Sequence, residues 1–542
     1  MMYLFTGRRV LILAVLFCAA FANHALAQNH ALAQKKTLTR LYEPIVVATV
    51  KLPPLLQDST HVYTAYCYIN DDFKRSRFQI DEVTNKGEYL IEKDAIADSN
   101  DEVVFMPNGT GDQAPTDKWI DGSDDTRLEL EVTDPITREK GWLYLFQRVK
   151  NPAVVPPHVR YSPAPPNAAG ADTVFGESYI EAHEKNTGWF TDISIKTPFD
   201  DGKDILDRQK VRIKGRFAIF TITLKEDTLQ FVDASFEQRP VRSFREISYI
   251  VDIFGTKIPF TFNTQYFPYS TLFGAKNVAL PVFTGLTYSE VRLSADFNEQ
   301  AKGMKFFNAY NAGILVDGVQ DSYDKTITAP PNGLNWFMLT GNPGTYLTLI
   351  DVPRLGTNRE LYYKDNLATD INDSGDKKSY GDSGLLISSP AAGDTLSINF
   401  ATYYLDNKDQ TAAFGEGFKQ RALKPLLVTA VEQKRTITAV NEDRPLPASF
   451  ALNDAQPNPF APQQGQVRLS FNLGNANAVP RLRIFNLLGQ EVVRFESVDL
   501  RRNKAVLWDG RDRFGRIVPA GIYFYQLEAG RQRAVKKLVL IR

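Results

Sequence analysis

Along most of this chain, hydrophobic residues alternate with polar ones in short runs. Leu128, Leu130 and Val132 are spaced by charged residues, Asp134-Pro135 interrupts, and Trp142-Leu143-Tyr144-Leu145-Phe146 returns. That order predicts a hairpin, because Asp-Pro starts a turn and the two-residue period places one face inward. Val211, Ile213 and Gly215 alternate with Arg212, Lys214 and Arg216, and the run continues through Phe217-Ala218-Ile219-Phe220 to Leu224. Ile247, Tyr249, Val251 and Ile253 share one face of another predicted strand. Further alternating segments lie at 291–297, 336–351 and 396–404. The last ninety or so residues repeat the pattern in Val467, Leu469, Phe471 and Leu473, then in 482–485, 506–508, 521–527 and 534–541. Long helical periodicity is hard to find anywhere, so an antiparallel all-β architecture is expected.

Two breaks divide these runs. Residues 151–170 carry prolines at 152, 156, 157, 163, 165 and 166, a stretch that cannot pair as a central strand. Residues 441–449 combine charges with two prolines. The expected domains are therefore 37–150, a large sandwich over 171–433, and a small one over 450–542. Composition agrees with a β fold, since Phe (35) and Tyr (23) are plentiful and Met (5) is scarce.

The beginning of the chain reads differently. Arg8-Arg9, an apolar run from Val10 to Phe21 and two copies of Ala-Leu-Ala-Gln predict a secretory signal over residues 1–27. Cleavage is expected after Ala27, with Ala33 as the alternative. The apolar run is shorter than the ~20 residues of a membrane helix, and no later segment is longer. Phe17 before Cys18 argues against a lipid-anchor site. About 510 residues remain, enough for three domains with cores of their own. Positive and negative residues number 63 each, which removes the electrostatic case for nucleic acid. Cys67 then has no partner in the chain and reads as a small core residue.

Four segments of the final block, in order, carry a resemblance. They are Gln456-Pro457-Asn458-Pro459-Phe460; Leu482-Arg-Ile-Phe-Asn-Leu-Leu-Gly-Gln-Glu-Val492; Trp508-Asp509-Gly510-Arg-Asp512 with Val518-Pro-Ala-Gly521 and Tyr523-Phe-Tyr525; and Lys536-Lys537-Leu-Val-Leu-Ile541-Arg542. Together these resemble the C-terminal sorting domain of type IX secretion cargo, in the Ig-like variant related to the flagellar hook-capping protein. Gln456 and Arg542 depart from the Tyr and Lys common in that family. The resemblance implies Sec export, an outer-membrane translocon as partner, and delivery to the cell surface or beyond. The full expectation is multidomain antiparallel β-sandwiches ending in a small Ig-like sandwich. The residues alone also fit ordinary local roles: glycines for turns, Trp508 for the centre of a small core.

Candidate chemistry in the body is sparse. Asp370, Asn372, Ser374 and Asp376 place oxygens at alternate positions with Gly375 sixth, which suits a Ca²⁺ loop. The twelfth position is Gly381 where an EF-hand has Glu, so a solvated acidic turn is the competing reading. Calcium is the one cofactor suggested. Gly381-Asp382-Ser383-Gly384 resembles the nucleophile loop of chymotrypsin-like proteases, but no His stands in that family's setting, and a Gly-rich turn reads better. His and Cys are too few for zinc, and no phosphate loop or haem motif is present. Trp189, Tyr266, Tyr269 and Trp336 are candidates for stacking on sugars or for core packing. By size and strand density alone, 171–433 resembles large carbohydrate-related sandwiches of the galactose-mutarotase type. The leading expectation is a non-enzymatic surface protein, structural or binding in role. A polysaccharide-active enzyme or glycan-binding protein is the alternative.

Overall fold

The computed structural model describes residues 33–56, 62–85, 87–89, 96–164, 171–197, 201–253, 255–323, 333–351, 358–435, 450–473, 480–495, 505–529 and 532–541. The signal segment 1–27 and the 441–449 linker lie outside them. The chain forms two compact units, residues 1–436 and 437–542. Both are built of antiparallel sheets, as the two-residue periodicity predicted.

In the first unit, a five-stranded sheet runs in the order Leu427–Lys434, Thr126–Thr133, Lys140–Gln147, Tyr63–Ile69, Asp72–Arg75. A three-stranded sheet of Ile45–Ala48, Glu102–Phe105 and Gln79–Asp81 packs with it through Leu128, Leu130, Val132, Leu143 and Leu145. The expected hairpin is present, with Leu130 opposite Leu143. Cys67 is buried in its neighbouring strand; burial pushes its thiol up, away from the reactive thiolate.

The largest core lies among three further sheets. Nine strands form one: Gln230–Glu237, Ser243–Ile253, Thr256–Tyr266, Ser270–Ala279, Thr395–Leu405, Gly344–Asp351, Asn335–Gly341, Lys305–Asn308 and Ile314–Leu315. Phe220–Lys225, Leu206–Phe217, Leu286–Phe297, Ser379–Ser388 and Arg359–Asn366 form a five-stranded sheet. The third has Arg160–Ser162 at its edge, the place where a proline-rich stretch can pair. Ile247, Tyr249, Val251 and Ile253 all point into the core, as their spacing required. A helix, Ala412–Leu423, places Phe418 in a smaller cluster with Trp336 and Tyr403.

Three expectations change. The run 211–224 is not one strand: Ala218 takes a positive φ of 52°, and Phe217 pairs with Phe220 across a two-residue turn. Gly381–Gly384 is no turn but part of the buried strand Ser379–Ser388. Gly381, at φ 83°, is the extra residue of a bulge opposite Lys364 and Asp365. Residues 37–150 and 171–433 are not separate bodies. Leu427–Lys434 crosses back to pair with Thr126–Thr133, residue for residue from Leu427–Thr133 to Lys434–Thr126. In addition, fully buried Asp81 binds Arg239 and Arg242, with Arg242 Nη2 at 2.5 Å and Nε at 3.0 Å. Gln79 Oε1 accepts the Val241 and Arg242 backbone N–H groups. Long-range pairing of this kind leaves no mark in local composition.

In the second unit, Ala451–Leu452, Val467–Asn472 and Ala505–Trp508 form one sheet. Glu491–Phe495, Pro480–Asn486, Gly521–Ala529 and Gln532–Leu540 form the other. Val467, Leu469, Leu482, Ile484, Trp508, Tyr525 and Leu538 bury their side chains in a core independent of the first unit's.

Candidate functional site

Alternation along Leu206–Phe217 sends Val211 toward the core and puts Lys210 and Arg212 on the other face. Water does not receive them: Lys210 is fully buried and Arg212 nearly so. The connection 367–378, between Arg359–Asn366 and Ser379–Ser388, lies against them and supplies counter-charges. Asp373 Oδ2 is 2.9 Å from Lys210 Nζ, and its Oδ1 is 2.5 Å from Arg212 Nη2. Ser374 Oγ accepts from Arg212 Nη2 at 2.6 Å and donates to Glu226, which also pairs with Arg212. Lys210 further binds buried Asp296, while Asp382 pairs with Arg292 at 3.2 Å.

The charges explain the titration behaviour. Burial alone would lower the Lys210 ammonium, but Asp382, Asp296 and Asp373 together raise it above its ordinary value. Burial alone would raise the Asp373 carboxyl; the Lys210 charge and hydrogen bonds from Lys210 and Arg212 hold it far below the usual carboxylate range.

This geometry redistributes the four expected calcium ligands. Asp370 Oδ1 accepts the Asn372 backbone N–H at 3.0 Å, a local turn contact. The Asn372 carbonyl accepts from Lys225, and Ser374 is engaged by Arg212 and Glu226. Only Asp376 enters an acidic group, and its companions are Asp207 and Asp296, with one oxygen of each within 4.8 Å of the others. The signal for Asp207 and Asp296 was absent locally. Both sit in strands that read as ordinary alternation, and antiparallel register brings the two strands together.

The aromatic candidates are mostly interior. Trp336 and Tyr266 are fully buried and Trp189 nearly so, while Tyr269 is partly buried and donates to Glu177 at 2.6 Å. Buried His183 Nε2 contacts Glu181 Oε1 at 2.8 Å and Tyr266 Oη at 3.0 Å, and Tyr404 Oη donates to Glu181 Oε2 at 3.2 Å. Burial, with the Arg245 charge, keeps that imidazole below its ordinary value. These groups satisfy one another inside the core.

The final unit's motif residues have equally specific places. Asn458, between Pro457 and Pro459, reaches the outer edge of Gln532–Leu540: its Nδ2 donates to the Lys537 carbonyl at 3.0 Å, and its Oδ1 accepts the Val539 N–H at 2.9 Å. Phe460 continues the cover with main-chain bonds, donating to Val539 and accepting from Ile541, each at 2.8 Å. Its buried ring faces Trp508 at 6.3 Å between centroids. Trp508 Nε1 donates to the Arg511 carbonyl at 2.7 Å. Asp509 Oδ1 accepts from the Arg511 N–H, and the Gly510 carbonyl from Val518. Gly521 opens the strand paired with Gln532–Leu540. Lys536 Nζ lies 2.7 Å from Asp454 Oδ1.

Residues 457–541, the stretch that this arrangement organises, match the family model of the secretion system C-terminal sorting domain. The protein is cargo of the type IX secretion system. Its sorting domain marks it for export across the outer membrane, to the cell surface or the medium. No curated protein matches the chain. Among solved structures, an α-mannosidase from Enterococcus faecalis V583 is 12% identical, with 86% of this chain and 54% of that one covered at a TM-score of 0.31. A glycosyl hydrolase family 38 protein from Enterococcus faecalis is 11% identical over 86% and 56%, at 0.32. PorZ, a surface component of the type IX secretion system of Porphyromonas gingivalis, is 12% identical over 74% and 49%, at 0.14. The cargo chain spans about half the length of these structures, and likeness at this level assigns no activity.

Proposed function

We propose that the exported body acts at the cell surface as a non-enzymatic protein, structural or binding in role. On this reading the chain enters the Sec route by its 1–27 signal, and an Ig-like sorting domain engages the outer-membrane translocon. The observation that carries the reading is the placement of the groups a glycan-active site would need. Trp189, Tyr266 and Trp336 pack in cores, and Glu181 and His183 are closed in with Tyr266 and Tyr404. A glycan cleft uses such residues at its wall, with carboxylates open to substrate.

The test is direct. Purified mature protein is incubated with a panel of polysaccharides, and reducing ends and oligosaccharide products are followed; none is expected. Intact cells, probed with antibody to residues 171–433, should display the body outside. Turnover of any glycan, or absence of the body from the surface fraction, overturns the reading.

A further inference from the structure

We infer that the sorting domain docks through the outer face of its four-stranded sheet, and that this face takes an acidic, partly apolar protein surface of the export machinery. The sheet is the one formed by Glu491–Phe495, Pro480–Asn486, Gly521–Ala529 and Gln532–Leu540. Such docking rests on the sorting role of the domain; it adds the face that is used and the chemistry of what that face meets.

Residue parity separates the two sides of the sheet. Leu482, Ile484, Tyr525, Leu527 and Leu538 enter the core, so the residues between them point outward. Where one side of an antiparallel sheet meets water, its outward positions are ordinarily polar. Here they are not. Phe485 stands opposite Phe524, and Ile522 opposite Val539, which gathers apolar groups at one end of the face. Ile522 is 41% exposed and Val535, further along the last strand, 48%.

The other end is basic. Arg483 is opposite Arg494, and Arg481 and Arg533 stand on either side of Glu528, while Lys537 lies beside Phe524. The two acids of the face are already shared among these cations. Glu528 is 2.5 Å from Arg483 Nη2 and 3.7 Å from Arg533 Nε, and Glu491 is 3.0 Å from Arg494 Nε and 3.8 Å from Arg483 Nη1. Arg481 and Lys537 are exposed and make no ion pair among the described residues. The whole final unit leans the same way: over 450–542, Lys and Arg outnumber Asp and Glu about two to one, an asymmetry that the chain's overall balance hides.

Excess cations beside aromatic and aliphatic groups fit a protein interface, where Arg and aromatic residues are enriched and opposite potentials meet. An anionic bilayer fits less well. Faces that bind membranes sink their apolar groups among the headgroups, whereas Phe485 and Phe524 are half-buried in the sheet. A uniformly negative surface would also repel Glu491 and Glu528, which a protein partner can answer with groups of its own.

The experiment follows the full chain in the native host, comparing surface and periplasmic fractions with antibody to residues 171–433. Arg481→Glu combined with Arg533→Glu and Lys537→Glu should lower the surface fraction at least tenfold. Arg481→Gln with Lys537→Gln, which breaks no ion pair, should lower it several-fold even if the reversed chain melts early. Ile522→Asn with Val535→Asn should also lower it several-fold. Arg468→Glu changes charge equally on the other sheet of the domain, where Arg468 is exposed, and should be delivered like the parent. Thermal melts of the purified chains, expected to match the parent's, separate lost docking from lost folding. Vesicles containing one third phosphatidylglycerol should not retain the parent chain. Parental delivery of any of the three face variants, while a chain lacking 448–542 stays inside, would overturn the docking face and leave the sorting role standing. Delivery of the shortened chain would instead remove the sorting role itself. Loss in Arg468→Glu as large as in the reversed chain, or vesicle retention that the reversal abolishes, would also overturn the docking face.

Discussion

Asn458 occupies the place of a strand residue beside Val539: its side-chain Oδ1 accepts the Val539 N–H at 2.9 Å, while its Nδ2 donates to the Lys537 carbonyl two residues earlier. A side-chain amide carries the same donor and acceptor as a peptide, so it can complete the ladder where flanking prolines have no N–H to offer. The exposed edge of the last strand is thereby covered, and an uncovered edge is a template for unwanted pairing.

Asn458→Ala should therefore destabilise the sorting domain by about 1–3 kcal/mol, the sum of two ordinary hydrogen bonds. Asn458→Asp should not rescue it, because a carboxylate oxygen would face the Lys537 carbonyl. Denaturant melting of a 437–542 fragment measures both, and parental midpoints would show that the amide merely rests on the edge.

Trp508 supports the same domain from within. It is 2% exposed and packs between Phe460 and Tyr523, with ring centroids 6.3 and 5.8 Å away. Trp508→Ala should cost about 3–5 kcal/mol, the usual effect of emptying a large aromatic site. That approaches the whole stability of a small domain, so the variant should be largely unfolded by circular dichroism.

Because residues 437–542 form their own compact unit, removing 448–542 should leave the body folded. The truncated chain should accumulate in the periplasm, since the sorting domain carries the export route. Fractionation of the native host reads this out, and normal surface delivery would count against it.

Asp81 joins the N-terminal sheets to the central ones through Arg239 and Arg242. Asp81→Ala should cost up to about 3–5 kcal/mol, because two buried guanidinium groups lose their buried counter-charge and keep only the partly exposed Glu237 and Glu102. Lys74→Ala, which removes an exposed pair with Asp72, should leave the melting midpoint unchanged. Similar effects of the two substitutions would contradict the buried-knot account.

Glu177 supplies a pH signature. Burial alone would raise its carboxyl, but hydrogen bonds from His158 and Tyr269 and the charges of His158 and Arg77 outweigh burial and hold it below its ordinary value of 4.5. A depressed folded value means the contribution is present above the ordinary value and is lost as pH falls through the folded one. Melting temperature followed from about pH 6 down to pH 3 should fall less steeply in Glu177→Gln than in the parent. The side chain is a third exposed, so the difference is modest. Parallel curves would assign the acid sensitivity elsewhere.

Local pattern was enough for several of the strands, though not for the turn at Ala218 or the strand through Gly381–Gly384. The alternation of Leu128, Leu130 and Val132, of Ile247 to Ile253, and of Val467, Leu469 and Phe471 predicted which residues enter a core, because a strand's two faces follow directly from residue parity. The sorting motif was equally legible, since its residues act within a hundred positions of one another. Only the folded chain decided the rest. Lys210 and Arg212 sit on a face that parity assigns to water, yet a connection from more than 150 residues away buries them, with Asp373 as counter-charge. Strand Leu427–Lys434 reads like any other until its partner proves to be Thr126–Thr133. Asp207, Asp296 and Asp376 meet for the same reason: side-chain parity is a local property, whereas pairing and burial are set by which distant segments bring complementary surface.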